Sequence, residues 1–254
     1  MKFIVFTHSS YNDIYKINQD HLLKLDISHE DIVIFTDKQD SMYIFKTYIY
    51  DDSKLYHNRI KECFEQIEDK TEYGYFIFFH DNDIFLSLDM KKIEKLKKLM
   101  IQNDLSRIQF NLYSIPEHMK EDNRCEECYY RHPCKIHSNK FVVDDDISIL
   151  ENKGYYVYSV STSMWRLNSY LDIIYNTLDC DYYEVETPAN SYFILKGYKC
   201  YSIISKFYNN YFNRIYSSCI NIIHLTCRGK FIIENDFSKN IYNTYSIKRD
   251  IYTL

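Results

Sequence analysis

The run YFIFFHDNDIFL, from Tyr75 to Leu86, carries five consecutive apolar residues straight into His80, Asp81 and Asp83. Two carboxylates two residues apart can share a hard divalent cation, directly or through water. Mg²⁺ or Mn²⁺ held there can bridge the oxygens of a diphosphate and stabilise its charge as it leaves. Acidic pairs are also ordinary loop residues, and the spacing alone does not choose between the two readings. Their place after a buried strand of an α/β chain favours the metal, because ligands of open α/β sheets bind outside the carboxyl ends of the strands.

A second cluster has different chemistry. CEECYYRHPCKIH contains Cys125, Cys128, Cys134 and His137, with His132 between. Cys-x-x-Cys followed by Cys-x-x-His supplies the four soft ligands of a tetrahedral structural Zn²⁺, at a spacing nearer a knuckle than a finger. The segment is too polar to build its own core, so a metal would staple it. The same thiols can also stay free or pair as a disulfide. Acidic flanks, EHMKED and VDDD, speak against nucleic acid as its partner.

The elements that must position these residues are legible in part. The chain has 254 residues, 46% hydrophobic and 26% charged, which suits one domain over 1–254 with a Cys/His-rich insertion at 114–140. A net charge of −5 with no basic tail gives no support for a nucleic-acid partner. Four Gly and three Pro leave no linker-like stretch. The abundance of Tyr and Phe reads as compositional drift. No apolar run reaches the ~20 residues that span a bilayer, and KFIVF is too short for a signal-peptide core, so the expectation is a cytoplasmic protein.

Short apolar strands are expected at 2–6, 31–36, 43–49 and 75–79. Helical spacing marks 12–25 (Ile14, Ile17, His21, Leu25 inward) and 54–68 (Leu55, Ile60, Cys63, Phe64, Ile67 inward). It also marks 89–100, with Asp89 as its cap and Met90, Ile93, Leu96 and Met100 inward. Further strands are expected at 106–113, 155–161, 200–204 and 220–225, with helices after Trp165 and within 185–197. Continuous apolar strands separated by amphipathic helices predict a mostly parallel central sheet flanked by helices on both faces. On that fold, the loop FTHSSYND after the first strand and HDND after the fourth face one crevice.

The segments FTHSSYNDI, DDSKLYHNRI, YGYFIFFHDNDIFL, STSMWRLNSYLDII, YYEVETPANSYFILKGY and IIHLTCRGKF fall in the order seen in A-type-fold nucleotide-sugar glycosyltransferases. The chain most resembles those encoded by giant double-stranded DNA viruses, over about residues 3–232 without the Cys/His segment. The resemblance implies a GT-A, Rossmann-like fold with an Asp-x-Asp motif and a Mn²⁺ or Mg²⁺ cofactor. The donor would be a nucleoside-diphosphate sugar, with UDP as its nucleotide, and the acceptor a glycan or other hydroxyl. It implies host cytoplasm as the compartment for a viral chain. Residue by residue, Asp83 is similar to the metal-binding carboxylate and Asp81 to the one nearer the ribose or the second metal shell. His224 resembles the distant His that completes the metal site. Thr7 and His8 resemble the loop that cradles the base, and Tyr56 and Arg59 resemble donor-contacting residues. Arg228 and Lys230 fall where a basic C-terminal loop approaches the diphosphate. His80 before the motif and Asn82 inside it depart from the usual spelling.

Taken without the resemblance, His224 reads as a hydrogen-bonded core histidine, Arg59 as a solvated helix residue and Tyr56 as core. Arg228 and Lys230 then flank a Gly229 turn.

Transfer with inversion needs a carboxylate to take the acceptor hydroxyl's proton. YYEVETPAN offers Glu186, at the mouth of a helix whose dipole favours the anion, with Glu184 in reserve on the same strand face. Trp165 offers an apolar platform for a sugar ring, or core packing. Two other readings compete. A haloacid-dehalogenase-like phosphatase would use Asp81 as nucleophile, but that motif ends a first strand and carries Thr or Val where Phe85 stands. A catalytically inactive sugar-binding or zinc-containing scaffold is the other. Oligomeric state, sugar and linkage are open at this level.

Overall fold

The computed structural model describes residues 1–110, 140–145, 147–152, 157–178, 180–182, 184–205, 214–216, 219–227, 229–233 and 236–252. Cys125, Cys128, His132, Cys134, His137 and Arg228 lie outside the described residues, and so does the expected insertion apart from Lys140.

The chain begins with β1 (Lys2–Phe6), α1 (Asn12–Leu22), β2 (Ile32–Thr36), β3 (Lys46–Ile49), α2 (Tyr56–Glu65) and β4 (Tyr75–His80). It continues through β5 (Asp83–Leu88), α3 (Met90–Gln102), β6 (Arg107–Gln109), β7 (Lys140–Val142), β8 (Ile147–Asn152) and β9 (Ser163–Arg166). Then come α4 (Leu167–Asn176), α5 (Glu186–Leu195), β10 (Cys200–Ser205), β11 (Arg214–Tyr216), β12 (Ile220–His224), β13 (Thr226–Cys227), β14 (Lys230–Ile232), α6 (Asp236–Thr244) and β15 (Ile251–Tyr252).

A nine-stranded sheet in the order β3-β2-β1-β4-β9-β6-β10-β8-β7 forms the centre. Its pairings make every strand except β8 and β9 point the same way. Two three-stranded sheets, β11-β12-β5 and β13-β14-β15, stand beside it.

The continuous apolar strands are explained by burial on both faces. On β1, Phe3 and Val5 enter one core and Ile4 and Phe6 the other. On β4, Ile77 and Phe79 share the first core and Phe76 and Phe78 the second. The first core is covered by α1 through Tyr15 and Leu22 and by α3 through Ile93, Leu96 and Met100. The second is covered by α2, α4 and α5 through residues such as Phe64, Tyr170 and Phe193. Each such side chain removed from water contributes roughly 1.5–3 kcal/mol, which is why period two on one face is replaced by apolar residues at every position. Asp89 caps α3 as expected, its carboxylate accepting from Lys91 N–H at 3.0 Å and Lys92 N–H at 3.1 Å.

Several expected elements differ. α1 ends at Leu22, so His21 is only half-buried and Leu25 lies beyond the helix. β3 starts at Lys46, because Tyr43 and Phe45 are buried ahead of the ladder. Leu55 is the cap of α2 and 40% exposed, not inward. The described part of 155–161 makes no strand, and β9 begins only at Ser163. Its serines instead direct their hydroxyls and carbonyls to a buried arginine described below.

His57 of α2 is fully buried beneath that segment. Its Nδ1 lies 2.7 Å from Thr177 Oγ1 and its Nε2 2.7 Å from Tyr158 Oη. Burial pushes its pKa down to about 4, from 6.5. The folded protein holds it neutral where the unfolded chain binds a proton, so stability is lost as pH falls from 6.5 toward 4. Between pH 7 and pH 5 the protein is predicted to lose about 2 kcal/mol more than a His57→Asn variant, read by urea unfolding. Parallel losses in the two proteins would disprove this assignment.

Candidate functional site

Parallel pairing of β1 with β4 sets Phe6 opposite His80, so the two carboxyl ends leave the sheet side by side. Thr7 and Asp81 follow, and Thr7 Oγ1 donates to Asp81 Oδ2 at 2.6 Å. The two loops therefore meet, as the sequence predicted. The turn after β4 is short. Asp83 does not lie in the loop but opens β5, opposite His224 on β12. Asn18 of α1 clamps the turn from beneath, its amide donating to the carbonyls of Asp81 at 2.9 Å and Asp83 at 3.0 Å.

Both carboxylates are buried. Burial pushes the Asp81 carboxyl up to about 7, against the pull of the Thr7 hydroxyl. Burial also opposes charge on Asp83, but the His224 and Thr162 bonds outweigh it and hold that carboxyl below the usual range. His224 Nδ1 lies 2.7 Å from Asp83 Oδ1, and Thr162 Oγ1 donates to Asp83 Oδ2. The same contact overcomes the lowering effect of burial on His224 and raises its pKa. An ionised carboxylate only accepts, so the proton between them sits on Nδ1, and only in the neutral ring does Nε2 keep a lone pair. Nε2 faces the Asn82 amide at 3.3 Å. Asn82 Oδ1 is buried with no hydrogen-bond partner.

These donors suit a hard cation. Asp81, Asp83 and His224 supply oxygen and imidazole ligands, and the unsatisfied Asn82 oxygen lies between the two acids in the chain. They are not gathered into a tight cage. Among the described residues, the trio whose ligand atoms all lie within 4.8 Å of one another is His8, Asp37 and Asp52. That trio is explained without a metal. Ser10 N–H donates to His8 Nδ1 at 3.0 Å, so neutral His8 carries its proton on Nε2, 3.1 Å from Asp52 Oδ2. Ser9 N–H and Ser9 Oγ donate to the two Asp37 oxygens at 2.6 and 2.7 Å.

Tyr56 and Arg59 part company. Tyr56 is buried, with Oη 2.9 Å from His80 Nε2, and burial pushes the His80 pKa down to about 4. Arg59 turns to Asp52 and lies 5.5 Å over the Tyr50 ring. Lys230 is exposed at the start of β14, after Gly229 at φ +77°, a turn that favours glycine. Trp165 offers no platform: it is 1% exposed, packed against Tyr158, Tyr170 and Phe193.

Glu186 is the first residue of α5, and its Oε1 accepts the Val160 N–H at 2.9 Å. The expected shared strand face with Glu184 does not exist, because residues 184 and 185 form a turn and Glu184 is exposed. Asn190, one turn into α5, binds the Glu186 carbonyl and both backbone groups of Tyr158.

Sequence reasoning missed Asp37, Thr162, Tyr182 and Arg249. Asp37 had a signal, its place just after β2. Tyr182 is 42% exposed, with ring centroids 5.1 Å from Tyr56 and 5.8 Å from His80. Arg249 comes from the far end of the chain, stacks 4.1 Å over Tyr11 and grips Asp13 and the Ser10 carbonyl. Nothing local in its sequence announces this.

No helix among the described residues is long and apolar enough to cross a membrane. No family model matches the chain, and no curated protein matches its sequence. Among solved structures it is similar to residues 1–349 of S. aureus TarS, at 10% identity and a TM-score of 0.45, covering 81% of this chain and 60% of that one. The same protein in complex with UDP-GlcNAc gives 12% identity and a TM-score of 0.42, covering 82% and 60%. CMP:2-keto-3-deoxy-manno-octonic acid synthetase complexed with CTP gives 12% identity and a TM-score of 0.42, covering 80% and 90%. The chain thus spans 60% of the length of the TarS structure.

Proposed function

We propose that the protein is a glycosyltransferase that moves a sugar from a nucleoside-diphosphate sugar, with UDP as nucleotide, to a hydroxyl of a glycan or similar acceptor, with inversion. The observation that carries this reading is one segment holding both acids. Val160 donates its N–H to Glu186, and Thr162 donates its hydroxyl to Asp83. Two residues span no more than about 7 Å, so a candidate base and a candidate diphosphate site stand within one substrate's length of each other. They lie at the carboxyl edge of parallel strands, where ligands of such sheets bind.

In this reading the acceptor oxygen forms a bond to the anomeric carbon as the bond to the diphosphate oxygen breaks. Glu186 takes the acceptor's proton on Oε2, since Oε1 is held by Val160, and the diphosphate leaves with the electron pair. Glu186 is the first residue of α5. Asp81, Asp83 and His224 would hold Mn²⁺ or Mg²⁺, which supplies charge stabilisation to the departing diphosphate. Thr7 holds Asp81 through its hydroxyl, and His8 with Asp37 would edge the base end. The platform role that Trp165 offered as one alternative falls instead to the half-exposed Tyr182.

Glu186→Gln keeps an acceptor for the Val160 N–H and loses the base. It is expected to cut transfer at least about a hundredfold while UDP binding survives. Undiminished turnover in that variant would sink the role of Glu186. Asp83→Asn preserves shape and removes charge; titration calorimetry is expected to show that Mn²⁺ no longer strengthens UDP binding. Equal Mn²⁺-dependent gains in both proteins would remove Asp83 from the site.

A further inference from the structure

Arg107 is the only fully buried arginine among the described residues with such a set of partners, and no motif drew attention to it. It sits on β6 in the middle of the sheet, 0% exposed, with its guanidinium 4.6 Å over the Trp165 ring. A buried cation is costly unless its donors are met. Here they are met from one stretch of chain. Nη1 donates to the Val157 carbonyl at 2.8 Å, and Nη2 to the Ser159 carbonyl and hydroxyl, both at 2.9 Å. Nε and Nη2 donate to Ser163 Oγ at 3.1 and 2.7 Å.

The segment 157–163 is therefore gripped at odd positions. From its even positions the Tyr158 and Val160 N–H groups bind Asn190 and Glu186 and the Thr162 hydroxyl binds Asp83, while the Tyr158 ring lies 5.8 Å from the guanidinium. The sequence YSVSTS carries this alternation, with serines toward the guanidinium and Val160 and Thr162 toward the acids. Before Ser163 the segment joins no ladder, and apart from the Phe110 N–H to Thr162 carbonyl bond at 3.3 Å its backbone meets its neighbours mainly through side chains. The planar fork supplies several of those side-chain bonds, from donors at fixed angles that a lysine cannot reproduce.

We infer that Arg107 is a positioning residue: through the strap 157–163 it sets the spacing between Glu186 and Asp83. This rests on the proposed transferase reading for its catalytic consequence, but not for its structural one. A one-ångström displacement of either acid would move a reacting group out of line.

The test uses the full chain with Arg107→Lys and Ser159→Ala, the second being the milder change should the first fail to fold. Hydrogen exchange by NMR reads the Val160 amide, whose acceptor is Glu186. Steady-state kinetics on a nucleotide-sugar panel with Mn²⁺ reads kcat and KM separately. Exchange at Val160 is expected to quicken about tenfold or more while amides of β1 and β2 hold theirs. kcat is expected to fall roughly a hundredfold with KM changed by less than about threefold. Unaltered Val160 exchange in a folded variant overturns the inference, and so does quickened exchange with kcat intact. If the native chain turns over no donor in the panel, the transferase reading fails on its own, and the Val160 exchange alone then decides whether Arg107 sets the strap.

Discussion

Asp83 is a charged group taken out of water, and a buried charge must be matched. It is matched from two distant parts of the chain: His224 on β12 and Thr162 just before β9. Asn18 on α1 holds its backbone carbonyl. Removing any one of these would leave a desolvated acceptor or donor, at a cost of order 1–3 kcal/mol or more for a charged group. The satisfaction of this one carboxylate thus couples the small β11-β12-β5 sheet, the central sheet and the first helix.

The central sheet makes that convergence possible. With β1 and β4 in register and parallel, the loops that leave them have to emerge at one edge. The antiparallel β9 enters between β4 and β6 and delivers the strap 157–163 to the same edge from the opposite direction. Helix α5 then closes the other side with its N-terminus, where Glu186 sits. Two acids with different surroundings result. Asp83 is pinned by a histidine and a hydroxyl, whereas Asp81 has a single hydroxyl partner in Thr7 and is pushed toward neutrality by burial. A cation placed beside Asp81 would reverse that push.

Much of the fold was legible because burial on both faces leaves a plain mark. β1, β2 and β4 are apolar at nearly every position, and α2 and α3 show inward residues at helical spacing. The meeting of Thr7 with the acidic turn followed from the sheet rule alone. The described part of the strand expected at 155–161, residues 157–161, forms no strand for a physical reason: alternating serines and apolar residues imitate a half-buried strand, but here the serines solvate Arg107. Trp165 read equally as a sugar platform or as core packing because sequence cannot distinguish an exposed aromatic from a core one, and Tyr182 was lost among 27 tyrosines.

The sequence by itself determined that β1, β2 and β4 are buried strands and that an acidic residue, Asp81, follows the end of β4. Those features depend on local periodicity and on the order of elements, which a single chain displays. Only the tertiary structure decided what each acid faces. His224 and Asp83 are 141 residues apart, and Arg249 and Asp13 are 236 apart. Such pairs obey no spacing rule, because they are set by strand order and by the need to satisfy every buried polar group. The grip of Arg107 on the strap belongs to that second kind.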